Sequence, residues 1–187
     1  MEEATKILLR EIQERYVKVI WTHKIQLCQA HLHLKKNKKR NTVLTALSVV
    51  VSAATIANIL KWLPDVVMIP FLAISALTLT YFTIKYKTDN LGKAAAENEH
   101  FAATMHNIRN RYASLLSEIK AGLLTNNQIV DRRDLLEREE NLIYSGIVPA
   151  TTPKAVKEAK KALVDNQDST TTDEEINLLV SKNLSTL

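Results

Sequence analysis

Glycine and cysteine are nearly missing from this 187-residue chain, which holds three of the first and one of the second. A lone cysteine, Cys28, forms no intrachain disulfide and supplies no Cys-rich metal site. So few glycines argue against dinucleotide folds, phosphate loops and β-rich architectures, which need positive φ. With four prolines as well, and many Ala, Leu, Lys and Glu, the composition favours helices.

Charge is missing from one long stretch. Residues 42–84 carry only Lys61 and Asp65, both in the middle. Residues 1–41 have a net charge of +6, residues 85–122 of +2 and residues 123–187 of −3. The overall 24% of charged residues conceals this segregation. Thr42–Leu60 and Val66–Ile84 are each uncharged over 19 residues. At ~1.5 Å per residue each covers about 28 Å, close to the ~30 Å hydrocarbon core of a bilayer. A domain of this size rarely covers two such helices on all sides, so two membrane spans are expected rather than buried core helices. The 41 residues ahead of the first run, and the length of the run, fit a cleaved signal poorly.

Only Lys61, Trp62, Leu63, Pro64 and Asp65 separate the runs, so the spans form an antiparallel hairpin. Pro64 stops the first helix, and Trp62 suits an interfacial aromatic belt. Pro70 is expected near the first turn of the second span, where a missing N–H costs least. Lys35, Lys36, Lys38, Lys39 and Arg40 precede the hairpin, and Lys85 and Lys87 follow it. The positive-inside rule places both termini in the cytoplasm and the short loop outside. Beside a span, a basic cluster reads as an anchor on anionic lipid headgroups ahead of a nucleic-acid patch.

The flanking segments, 1–41 and 85–122, read as long cytoplasmic helices. Ile12, Tyr16, Val19, His23, Leu27, Ala30 and Leu34 recur at three- and four-residue steps. So do Leu91, Ala95, Asn98, Ala102, Met105, Ile108, Tyr112, Leu115 and Ile119. The hairpin brings these seams to one side as an antiparallel, coiled-coil-like pair. Ala94, Ala95, Ala96, Ala102 and Ala103 permit close approach. The region 123–187 reads as smaller helices: 128–144 after a turn at Asn126–Asn127, 154–164, and an amphipathic helix capped by Asp173 that carries Ile176, Leu179 and Val180. The fold class is therefore all-α, with a transmembrane hairpin over 42–60 and 66–84.

Little in the chain points to catalysis. His23, His31, His33, His100 and His106 form no HExxH pattern and converge poorly on helices, so no metal or cofactor is expected. Cys28 has no evident third partner. The charges of DRRDLLEREE at 131–140 read as a solvated, salt-bridged face. An enzyme is not expected. The first span is more informative. At ~100° per residue, Thr45, Ser48, Ser52 and Thr55 fall within about 80° of one another. Ala46, Ala53 and Ala57 cluster on a different side. The hydroxyls either line a water-filled path in an oligomer, without strong ion selectivity, or bond their own carbonyls and glue helices together.

With this layout, the chain resembles the SLATT family, two-transmembrane effector domains associated with SMODS and SLOG proteins. The resemblance rests on the basic pre-membrane helix running into KKNKKRNTVLTALSVVVSAA and on the short-looped hairpin. It continues in LGKAAAENEHFAATMHNIRNRYASLLSEI and in IVPATTPKAVKEAKKAL before a TDEEIN-type helix. It implies a homo-oligomeric pore-forming effector of bacterial antiphage conflict systems, in the inner membrane. Such effectors are switched by a nucleotide second messenger or a partner sensor or nucleotidyltransferase. No nucleotide-sensing or nucleotidyltransferase domain is legible here, unlike in fused members. The rival reading is a membrane-anchored scaffold whose cytoplasmic helices recruit a partner enzyme.

Overall fold

The computed structural model describes residues 3–62 and 64–165, so the expected helix at Asp173 and residue Leu63 lie outside the described residues. The elements are α1 (Glu3–Ile59), α2 (Asp65–Thr88), α3 (Leu91–Lys120), α4 (Asn126–Ser145) and α5 (Pro153–Lys160), followed by a π turn over Lys161–Asp165. No strand occurs among the described residues.

Sequence accounts for each boundary. α1 runs 57 residues because no Gly or Pro interrupts it, so the pre-membrane segment and the first span belong to one helix. It closes where Trp62 N–H donates to Ala57 O and Lys61 N–H to Asn58 O, each at 3.1 Å. That closure puts Lys61 at φ 54°, a left-handed conformation that costs a non-glycine residue roughly 1 kcal/mol. Pro64 then precedes α2 with φ −59°. Pro70 is the sixth residue of α2, deeper than the first-turn position expected, because the helix already starts at Asp65. Its ring removes the bond that would have reached the Val66 carbonyl. Asn90 breaks α2 from α3, and its Oδ1 accepts from Lys93 N–H at 3.3 Å. α3 ends on Gly122 at φ 69°, with Gly122 N–H bonded to Ile119 O and Leu123 N–H to Glu118 O. Thr125 caps α4 in a reciprocal box with Gln128, so Asn126 and Asn127 are its first helical residues rather than a turn. Thr152 caps α5, and Pro153 occupies its first position.

The described residues divide into two compact units, 3–30 with 96–165 and 31–95. The first is a helical bundle. Ile12, Tyr16 and Val19 of α1 pack with Phe101, Met105, Ile108, Tyr112, Leu115, Leu116 and Ile119 of α3, and Ile129 and Leu136 of α4 complete the core. Each large side chain fully buried there contributes about 1.5–3 kcal/mol. α4 runs parallel to α1 in constant register. Thr5 meets Asn126, Glu11 meets Arg133, Arg15 meets Glu137 and Thr22 meets Tyr144. The three residues after Gly122 turn the chain so that α4 is antiparallel to α3, as Arg132–Glu118 and Arg111–Glu139 record.

The second unit is the hairpin. Leu44, Leu47, Val51, Ala54 and Asn58 are half-buried at helical spacing, as are Leu72, Ser75, Leu79, Phe82 and Tyr86 of α2, with Met68 buried. These form its seam. The remaining apolar surface is open: none of the apolar window of the first span is buried and 6% of that of the second. Core helices of a soluble protein would be covered, whereas spans in lipid need no cover.

Candidate functional site

The base of the hairpin is clasped by Arg40. Its guanidinium donates to Asp89 Oδ2 and lies 4.8 Å from the centre of the Tyr86 ring. Its side chain is only 12% exposed, so this cation is committed to the protein. Lys35, Lys36, Lys38 and Lys39 are exposed, as are Lys85 and Lys87. Lys85 lies 5.7 Å from the Tyr81 ring. At the opposite end, Lys61 Nζ donates to both oxygens of Asp65, at 2.8 and 3.1 Å, beside the exposed Trp62.

Thr45, Ser48, Ser52 and Thr55 are all exposed and lie off the hairpin seam. Thr45 donates to Asn41 O at 2.9 Å, Ser48 to Leu44 O at 2.9 Å and Thr55 to Val51 O at 2.8 Å. Each of these three hydroxyls satisfies its donor on its own helix and keeps an oxygen facing outward. Towards the basic end the same side of α1 is an open face. Leu34, Asn37, Lys38, Asn41, Thr42, Thr45 and Ala46 make it up. Ala46 and Ala53 are exposed, and Ala57 is half-buried.

Among the described residues no three His, Cys, Asp or Glu side chains converge. His23 and His106 meet across α1 and α3 with ring centroids 5.3 Å apart. Burial, then Arg109, His106 and Lys24, hold the His23 imidazole down at about 4, so it is neutral near pH 7.

Sequence reasoning passed over three polar residues here. Glu140 is 1% exposed, although its segment reads as solvated. Tyr112 donates to it at 3.1 Å, and Lys18 and Arg15 lie 3.7 and 3.9 Å away. Gln26 and Gln29 are buried, whereas the seam residues Leu27 and Leu34 are 38% and 45% exposed. Gln26 donates to Pro149 O at 3.2 Å, and Gln29 Oε1 accepts from Thr152 N–H at 2.9 Å and from its hydroxyl at 2.8 Å. The glutamines pin the segment leading into α5. Their one-residue offset from the apolar seam was the signal available.

No curated protein and no solved structure matches this chain. A family model does, over residues 8–175, which takes in both spans and the helices that flank them. This two-span membrane protein belongs to the SMODS and SLOG-associating 2TM effector domain family, as a member of its family 4.

Proposed function

We propose that the chain is the membrane-disrupting effector of a bacterial antiphage conflict system. Several hairpins assemble in the inner membrane around a hydrated path lined by Thr45, Ser48, Ser52 and Thr55. Both termini stay in the cytoplasm, where a nucleotide second messenger or a partner sensor of the SMODS or SLOG kind shifts the assembly towards its open state. The action is disruption of a barrier, without covalent chemistry.

One observation carries this reading: four hydroxyl residues are uncovered along one side of an apolar span, away from the seam that pairs it with α2. Lipid gives an outward-facing oxygen no hydrogen bond, whereas water in a lumen does. One hairpin cannot enclose a path, so the reading requires several copies. The test compares two double variants in liposome dye release and cell killing, with oligomer mass measured in nanodiscs. Ser48→Leu with Ser52→Leu should abolish release yet insert normally. Ala46→Leu with Ala53→Leu should lower oligomer yield instead. Wild-type release by the serine pair would make the hydroxyl face a packing face.

A scaffold reading draws on exposed apolar side chains of the bundle unit, Leu142 at 71% and Ile147 at 96%. It predicts that induced expression without a partner leaves membrane potential intact.

A further inference from the structure

The basic end of the hydroxyl stripe carries a charge whose position follows from helix geometry. We infer that the path prefers small anions over cations, and that Lys38 sets this preference at the end of the first span. The inference rests on the reading that Thr45, Ser48, Ser52 and Thr55 line the path.

α1 is unbroken between these residues, so their angular positions are linked. Positions 38, 41, 45, 48, 52 and 55 alternate steps of three and four, the spacing of a single helix side. At ~100° per residue, Lys38 lies about 20° beyond Thr45 at the edge of the stripe. Lys35 and Lys39 lie about 80° and 120° beyond it, and Lys36 about 100° past the other edge. Lys38, Asn41 and Thr45 also share one open face of α1, which Lys35, Lys36 and Lys39 do not join. Arg40 is turned to Asp89 and Tyr86.

The unit spanning 31–95 contains nine Lys and Arg but only two acids, Asp65 and Asp89. Asp65 is held by Lys61 and Asp89 by Arg40. Each acid is therefore matched by a cation other than Lys38. In a ring of copies, Lys38 places one positive charge per copy at the rim of the path. Low-dielectric walls focus that field, and rings of Lys favour anions. The hydroxyls carry dipoles but no net charge. Their hydrogens can turn from the backbone carbonyl to a passing anion, so they do not oppose the sign set by lysine.

Planar bilayers of zwitterionic phosphatidylcholine, a steep KCl gradient and the purified full chain provide the test. The reversal potential should move towards the chloride equilibrium value, with chloride favoured at least about threefold over potassium. Lys38→Gln should bring the ratio near one, and Lys38→Glu should reverse its sign. Lys35→Gln should leave the wild-type ratio. The preference should shrink in 1 M salt, where screening shortens to ~3 Å from ~10 Å at 0.1 M. Wild-type currents without chloride preference overturn the inference and leave the pore standing. So does a Lys35→Gln shift as large as that of Lys38→Gln. Bilayers that stay silent with wild-type preparations that release dye from liposomes overturn the conducting path itself, and the inference with it.

Discussion

Burying a carboxylate costs several kcal/mol unless opposite charge and hydrogen bonds compensate it. Glu140 meets both conditions, with the Tyr112 hydroxyl on one oxygen and Arg15 and Lys18 beside it. Burial, and then the carboxylate itself, raise the Tyr112 phenol well above its ordinary range, so it remains a donor. Glu140→Ala should therefore cost about 1–3 kcal/mol, since it takes the acceptor from the buried Tyr112 hydroxyl, while Arg15 keeps Glu137. Glu140→Gln, which keeps the shape and an acceptor, should cost less. Urea unfolding of both variants followed by circular dichroism gives the comparison, and equal losses would remove the charge from the account. His23 adds a pH dependence with a defined sign. Its folded pKa of about 4 lies below the ordinary 6.5. The stability it contributes is complete above pH 6.5 and is lost as pH falls towards 4. Its neighbours Arg109, His106 and Lys24 all oppose its protonation. Thermal unfolding between pH 7 and 4 should decline less steeply for His23→Gln than for wild type. Parallel curves would show that other groups carry the acid limb.

Among the elements, α4 and the segment after it depend on α1 more than their own sequences reveal. Gln29→Leu should leave Thr152 N–H without its acceptor and cost about 1–2 kcal/mol. It should also speed hydrogen exchange around Thr152, and protection at the wild-type level would count against the pin. The nine-position seam of α3, from Leu91 to Ile119, was fully legible: apolar spacing placed all nine inward, and all are buried. The seam of α1 was legible only in part. Ile12, Tyr16, Val19 and Ala30 are buried, but Gln26 and Gln29 turn inward beside them. Hydropathy cannot register that exchange, because the demand comes from backbone groups more than a hundred residues away. The charges of α4 hid for a related reason. Alternating signs look solvated on an isolated helix, but Arg133 reaches Glu11 while Arg132 reaches Glu118. The helix fills a groove between two neighbours, and only the tertiary pairing creates that groove. On the first span, ~100° arithmetic grouped the four hydroxyls. Their exposure, with the seam falling elsewhere, required the pairing with α2.

For the molecule as a membrane protein, orientation decides which end of the first span faces the cell interior. The cations that flank the hairpin stand at its base, and several are exposed. The loop end has Lys61 alone, and Asp65 holds it. Holding positive charge back is cheaper than carrying it across, so the base should be cytoplasmic and the loop outside. Pro64 suits a probe, being exposed and making no side-chain cap to α2. Pro64→Cys, in a Cys28→Ser background, should react with an impermeant thiol reagent in intact cells. Lys38→Cys in the same background should react only after permeabilisation. The pair controls for reactivity as well as side, since both positions are exposed. Labelling at 38 but not at 64 would invert the protein. The bundle unit would then stand outside, beyond reach of any cytoplasmic nucleotide or sensor, and the proposed switching would fail while the hairpin fold stood unchanged.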